Sequence, residues 1–109
     1  MALDRPMIST HVLDTASGTP RAGVRIRLRR PAGDGTAPIV GEGLTDADGR
    51  IRNLLGGEAL AEGAYRLEFA VGGDFFTALT LDFQVGDATR SYHVPLLVAP
   101  FGLTTYRGS

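Results

Sequence analysis

The sequence predicts an all-β protein, a two-sheet antiparallel β-sandwich of seven to eight short strands with little or no helix. Glycine and proline are spread so evenly over the 109 residues that the longest run lacking both has 12 residues, which leaves little room for an ordinary helix. Between them, apolar and polar residues alternate with the two-residue period of strands. Turn-forming residues separate these runs, at 17–20, 33–35, 46–49, 72–74 and 86–87.

The strands follow from this alternation in chain order. The first covers residues 7–14, with Ile8 and Val12 in the core and His11 on the opposite face. The second covers residues 24–29, where apolar side chains alternate with three arginines that face water. Further strands are predicted at residues 39–45, 65–71, 77–85, 92–98 and 104–107, and a single helical turn at 58–62.

Length and charge restrict the kinds of protein this chain can be. A chain of 109 residues has the size of one domain, and we expect it at residues 7–109, after a flexible N-terminus at residues 1–6. The formal charge of −1 offers no cationic excess to a nucleic-acid backbone, so no nucleic-acid partner is expected. Because no apolar stretch has the length of a signal peptide or a membrane span, we expect a cytoplasmic protein without a membrane partner.

Lysine and cysteine are both missing from the chain, and their absence excludes several chemistries. All eleven cationic side chains are arginine, which excludes Schiff-base catalysis by lysine. There is no cysteine, which excludes disulfides, thiolate catalysis and iron–sulfur clusters. With two histidines and no cysteine, no metal site is expected. The signatures of serine hydrolases, phosphate-binding loops and dinucleotide-binding folds are also missing.

The two histidines are the first candidates for chemistry. His11 lies in the middle of the first predicted strand, facing away from the core. His93 lies between Tyr92 and Val94 in a predicted strand, so its side chain points to the opposite face from theirs. That face mixes polar with apolar residues, as a subunit contact does. The alternative for each is an exposed histidine without function. The two rings would converge if their strands are neighbours in a sheet.

Arg50 and the C-terminal residues are the other candidates. Arg50 directly follows a turn, where its guanidinium could polarise a carbonyl or hold an anionic ring; the alternative is a solvated arginine at a strand start. Asp46 and Asp48 resemble the first ligands of a calcium loop, but the distal glutamate is missing and the segment is interpreted as a turn. A strand runs to within a few residues of the end, so residues 106–109 are expected to be held in place.

Four motifs are spread over the chain. They are Ser-Thr-His-Val-Leu-Asp-Thr at 9–15, Thr-Asp-Ala-Asp-Gly-Arg at 45–50, Tyr-His-Val-Pro-Leu-Leu at 92–97 and Tyr-Arg-Gly-Ser at 106–109. Together they resemble the 5-hydroxyisourate hydrolases, the enzyme branch of the transthyretin-like proteins. The resemblance covers residues 7–109 and implies a transthyretin-like β-sandwich. It also implies a homotetramer, a dimer of dimers with its sites at the dimer–dimer interface.

The resemblance further implies a reaction, the hydrolysis of 5-hydroxyisourate to 2-oxo-4-hydroxy-4-carboxy-5-ureidoimidazoline in urate breakdown. Water opens a ring amide, so no cofactor is implied. The implied catalytic residues are His11, Arg50, His93 and Ser109, and the implied substrate-binding residues are Tyr106, Arg107 and Gly108. An imidazole would accept a proton from water, Arg50 would stabilise the developing negative charge, and Ser109 would orient the water or a histidine. Which histidine is the base stays open at this point.

Two alternatives and one departure accompany this interpretation. The same sandwich could be a non-catalytic carrier of a small ligand, as in transthyretin, or an accessory domain of a larger protein. The Tyr-Arg-Gly-Ser ending favours the enzyme, because a carrier has no evident need for it. Members of the family usually have a short helix between the strands that match 65–71 and 77–85, whereas here the connection shrinks to residues 72–76.

Overall fold

The computed structural model describes residues 5–109, in which ten strands form two sheets and no helix occurs. Residues 1–4, which make up most of the predicted flexible N-terminus, lie outside the described part. The strands are β1 (Ile8–Asp14), β2 (Thr19–Pro20), β3 (Arg25–Arg29), β4 (Ile39–Leu44), β5 (Arg50–Ile51), β6 (Gly63–Phe69), β7 (Leu79–Val85), β8 (Tyr92–His93), β9 (Leu96–Ala99) and β10 (Gly102–Thr105). The count exceeds the predicted seven to eight because three strands, β2, β5 and β8, have only two residues each. No helix in residues 5–109 is long and apolar enough to cross a membrane.

The two sheets pack face to face, which confirms the predicted sandwich. The first sheet has the order β10-β9-β1-β2, and β5 and β8 also pair with β1; the second has the order β4-β3-β6-β7. Alternate residues of each strand point into the space between the sheets. Ile8 and Val12 from the first sheet meet Ile26, Leu67 and Phe69 from the second, and all five are fully buried. The other side of β1 is thereby left for the outer face of the first sheet.

One part of the first sheet is parallel, which the sequence did not predict. β1 pairs in parallel with β8 and β9, whereas its other neighbours are antiparallel. The predicted strand at 92–98 is divided between β8 and β9 because Pro95 has no N–H for the ladder. The Val94 carbonyl oxygen instead accepts a hydrogen bond from the buried Thr10 Oγ1 at 2.6 Å. The first half of the divided strand therefore ends at His93, beside the first residues of β1.

The helical turn predicted at residues 58–62 is wrong. The chain turns earlier, at residues 54–57. Asn53 Nδ2 donates to the Gly56 carbonyl at 2.8 Å, and Asn53 Oδ1 accepts from the Leu55 N–H at 3.1 Å. An asparagine side chain that bonds the backbone two residues on favours a turn over a helix. The final strand is also shifted, since β10 ends at Thr105 rather than at residue 107.

Candidate active site

The middle of the first sheet's outer face brings several predicted site residues together. β1 presents Ser9 and His11 there, because its alternate residues point into the core. Arg50 of β5 lies opposite His11 in the antiparallel ladder, and His93 of β8 lies opposite Ser9 in the parallel one. Opposite residues of paired strands share a face, so these four side chains lie on the same side of the sheet.

His93 is partly buried and hydrogen-bonded. Its Nδ1 lies 2.9 Å from the Ser9 Oγ. Burial lowers the pKa of His93, the nearby Arg50 guanidinium and His11 ring lower it further, and a hydrogen bond with the Ser9 backbone acts in the opposite direction. The net pKa lies below the ordinary value of 6.5. The ring is therefore mainly neutral at pH 7 and able to accept a proton.

The C-terminal residues lie against His93. Gly108 forms an antiparallel bridge with His93, and its N–H donates to the His93 carbonyl oxygen at 2.7 Å. A Cβ built on Gly108 would lie 2.5 Å from the His93 Cδ2, which is closer than carbon atoms pack. A glycine at this position therefore allows the chain end to lie directly beside the imidazole, with Ser109 next to it.

The turn before Arg50 holds its backbone in place. The Asp46 carboxylate accepts from the N–H groups of Asp48 and Arg50, each at 2.9 Å. The hydrogen bond from Arg50 is the main reason why the pKa of Asp46 is lowered, and these bonds make the segment the turn inferred from the sequence. Gly49 has a φ of 75° and packs so closely on β1 that a Cβ would collide with the Val12 carbonyl oxygen. The backbone of Arg50 is thus fixed, while its side chain is exposed.

An open depression of about 410 Å³ lies between these groups. Its lining includes Ser9, Arg50, Arg90, His93, Arg107 and Ser109. The depression is thus lined by three guanidinium groups, by the His93 imidazole and by Ser109. Among residues 5–109, no aspartate or glutamate side chain lines the depression. In the same part of the chain, no group of three His, Cys, Asp or Glu side chains could hold a metal ion.

Two predicted site residues do not line this depression. His11 lies on the same face and acts on the pKa of His93, but it is outside the lining. Tyr106 is 54% exposed and faces a separate apolar groove together with Phe83 of β7. Arg107 lines both places, and its guanidinium carbon lies 4.9 Å from the centre of the Tyr92 ring.

Ser9, Arg90 and Ser91 line the depression but were not singled out from the sequence. For Ser9 and Ser91 a signal existed, since each lies two residues before a candidate histidine and so shares its strand face. Arg90 lies in a loop, where no periodicity indicates the direction of a side chain.

Comparison with known proteins identifies the family. A model of the HIUase/Transthyretin family matches residues 8–108. The chain belongs to the HIUase/Transthyretin family. It is 46% identical to a curated 5-hydroxyisourate hydrolase from Caulobacter vibrioides, over 94% of this chain and 97% of that protein. Among solved structures, 5-hydroxyisourate hydrolase from Klebsiella pneumoniae matches with a TM-score of 0.80 and 34% identity, over 95% of this chain and 99% of that one.

The family also includes transthyretins, and the fold is similar to both kinds of member. Sea bream transthyretin in complex with thyroxine matches with a TM-score of 0.84 but only 28% identity, over 93% of each chain. The backbone of this HIUase/Transthyretin family member thus resembles that transthyretin slightly more than the Klebsiella hydrolase, while its sequence resembles the hydrolases more. Because one fold supports different functions through its side chains, the sequence and the site are the better guide.

Proposed function

We propose that this family member hydrolyses 5-hydroxyisourate to 2-oxo-4-hydroxy-4-carboxy-5-ureidoimidazoline, a step of urate degradation. The observation that carries the proposal is the meeting of His93, Arg50 and Ser109 at one depression. Its support from outside the chain is the 46% identity with a curated 5-hydroxyisourate hydrolase over nearly the whole length.

The proposed reaction needs a base for water and a group that stabilises negative charge. Water attacks a ring carbonyl carbon while an imidazole, His11 or His93, accepts its proton; the C–N bond of the amide then breaks, and the proton passes to the leaving nitrogen. Arg50 donates to the carbonyl oxygen as it becomes negative. None of the ion pairs found in residues 5–109 involves Arg50, so its N–H donors are available to the substrate.

The C-terminal residues take supporting roles in the proposal. Ser109, through its hydroxyl or its carboxylate, orients the attacking water or a histidine. Arg107 contributes positive charge at the substrate, and Gly108 lets the tail approach the His93 ring. Tyr106 anchors the tail from its apolar groove rather than from the depression itself. The reaction requires no cofactor, because water is the nucleophile and the substrate is already reactive.

A homotetramer is part of the proposal. β7 and β10 are edge strands of the two sheets, and the apolar groove with Phe83 and Tyr106 has residues of both edges in its lining. Unpaired edges and apolar surface are typical of subunit contacts. Light scattering of the purified protein tests the assembly, with a mass of four chains expected and a monomer contradicting it. A cytoplasmic location and the absence of nucleic-acid and membrane partners stay predictions from the sequence.

The proposed activity is tested with 5-hydroxyisourate that is generated in situ in the assay. Urate oxidase generates 5-hydroxyisourate from urate, and its ultraviolet decay is followed with and without this protein. Decay that accelerates in proportion to protein concentration is expected, with heat-denatured protein as the control. Spontaneous decay unchanged by micromolar protein contradicts the activity. That result would favour the carrier, the second candidate, which the TM-score of 0.84 with the thyroxine complex of transthyretin supports.

A further inference from the structure

The contact between Ser9 and His93 has a direction that decides which ring atom is basic. We infer that Ser9 is a positioning residue whose hydroxyl oxygen accepts the Nδ1 proton of His93, which leaves Nε2 of that ring as the base for the attacking water. The inference rests on the proposed function and deepens it, because it chooses between the two histidines.

The sheet, rather than a flexible loop, holds the two residues together. Ser9 and His93 are direct partners in the parallel ladder of β1 and β8. The backbone is bonded on both sides of this pair, with the Tyr92 N–H donating to the Met7 carbonyl at 2.8 Å and the Val94 N–H to the Ser9 carbonyl at 2.9 Å. The 2.9 Å contact from Ser9 Oγ to His93 Nδ1 is therefore built into the strand register.

The direction of the hydrogen bond follows from what surrounds Nδ1. A serine hydroxyl can donate or accept, so the distance alone permits both tautomers of the ring. Because the Ser9 Oγ occupies Nδ1, Nε2 is the ring nitrogen left to face a water in the depression. A neutral imidazole that accepts a proton at Nε2 carries its own proton on Nδ1, so a base at this position requires the Ser9 hydroxyl to accept from Nδ1. The neutral ring then carries its lone pair on Nε2.

The other edge of the ring lies beside the remaining site groups. In imidazole, Cδ2 is bonded to Nε2, and Cδ2 is the ring atom that a Cβ on Gly108 would strike. The chain end therefore packs against the Cδ2–Cγ side of the ring, while Ser9 occupies the Nδ1 side. The charged and titratable groups around the ring are Arg50 of β5, His11 of β1, Arg90 before β8, and Arg107 and the Ser109 carboxylate at the chain end.

His11 lacks this arrangement. Among the hydrogen bonds of residues 5–109, none involves the His11 ring, so nothing in that part of the chain selects its tautomer. His11 also lies outside the lining of the depression. A base must present its lone pair to the water in a fixed direction, which favours His93 in this role.

Two variants of equal shape test the role of the hydroxyl. Ser9→Thr keeps a hydroxyl and Ser9→Val replaces it with a methyl group, while both carry the same β-branched outline that suits a strand. For each, kcat and KM are measured across pH with 5-hydroxyisourate generated by urate oxidase, and folding is checked by circular dichroism. The tautomer of His93 is read separately from the nitrogen chemical shifts of the ring, by NMR of ¹⁵N-labelled protein at a pH where the ring is neutral.

We expect Ser9→Thr to keep near-parent kcat and Ser9→Val to lose about fivefold to tenfold in kcat with little change in KM, the size of one lost neutral hydrogen bond. The acid limb of kcat/KM should lie below pH 6.5 in the parent, because burial and Arg50 lower the pKa of His93. In Ser9→Val it should move to still lower pH, because the protonated ring has lost an acceptor. The parent ring should show a protonated Nδ1 and a bare Nε2.

The opposite outcomes are equally definite. A protonated Nε2 in the parent protein, or an acid limb that moves to higher pH in Ser9→Val, means that the hydroxyl donates to Nδ1 and overturns the inference. Equal kcat in Ser9→Thr and Ser9→Val overturns it as well. If the parent protein fails to accelerate the decay, the proposed function fails by itself. The NMR tautomer of the parent still decides whether Ser9 accepts from His93, and it needs neither activity nor a folded variant.

Discussion

The outer faces of the two sheets both carry arginines, but with different partners. On the second sheet the arginines pair with carboxylates of neighbouring strands, as in Arg29 with Glu68 at 2.8 Å and Arg66 with Asp82 at 2.7 Å. On the first sheet, Arg50 takes part in no ion pair found in residues 5–109, and it lines a depression without an acidic side chain from that part of the chain. The same residue type is thus neutralised on one face and left available on the other.

Under the proposed function, the difference separates a structural use of arginine from a catalytic one. Exposed ion pairs contribute little stability, because water screens them, and a ladder of them chiefly keeps a sheet face polar. Several unneutralised cations around one depression raise the local potential instead. Such a place suits a reaction in which an oxygen becomes negative. The near balance of eleven cationic and twelve acidic residues in the whole chain conceals this asymmetry.

The largest effect is expected from His93→Asn, which removes the imidazole that lines the depression. Loss of a general base should lower kcat by about 10²–10⁴, as measured by the decay of 5-hydroxyisourate. Asparagine is smaller than histidine and polar, so the strand should persist, and thermal unfolding serves as the control. Turnover close to that of the parent protein would remove His93 from the mechanism.

The next largest effect is expected from Arg50→Gln. Without the guanidinium, the developing negative charge loses a preorganised donor, which should lower kcat by about 10²–10³. Arg50→Lys keeps the charge but not the fork of donors, and should recover only part of the loss. Separate measurement of kcat and KM is needed, because a rise in KM with unchanged kcat would show a binding role and contradict charge stabilisation.

A smaller effect is expected from Gly108→Ala, which tests how the chain end lies against His93. The added Cβ would collide with the ring and displace the tail or the imidazole, and we expect kcat/KM to fall by about tenfold. Gly102→Ala is the matched control, because a Cβ at Gly102 meets no atom within 4 Å. Equal activity of the two variants would mean that contact between the tail and the ring is unimportant for turnover.

The smallest effect is expected from Arg29→Gln on the second sheet. It removes the partly exposed ion pair with Glu68, so the free energy of unfolding should fall by no more than about 1 kcal/mol, measured by urea denaturation. Its kcat should equal that of the parent, in contrast with Arg50→Gln. A large loss of activity in this variant would disprove the separation between the two faces.

Strand periodicity predicted the inward residues of this fold well, but not the strand ends or the pairing. Ile8, Val12, Ile26 and Leu67 are buried as expected, because a half-buried strand exposes every second residue to one face. The parallel pairing of β1 with β8 and β9 was missed, since it joins segments about 84 residues apart. Nothing local encodes that choice. The helical turn failed because the side chain of Asn53 bonds to the backbone nearby.

The amino-acid sequence determines which face of β1 carries His11 and Ser9, where the chain turns before Arg50, and that neither lysine nor cysteine chemistry occurs. Side-chain type and alternation are local properties, so the sequence of one strand is enough to recognise them. The tertiary structure alone decided that Ser9 meets Nδ1 of His93, that Gly108 lies on the ring, and that Tyr106 lies in a different groove. Those contacts depend on the register between distant strands, which is set by the packing of the whole core and not by any one segment.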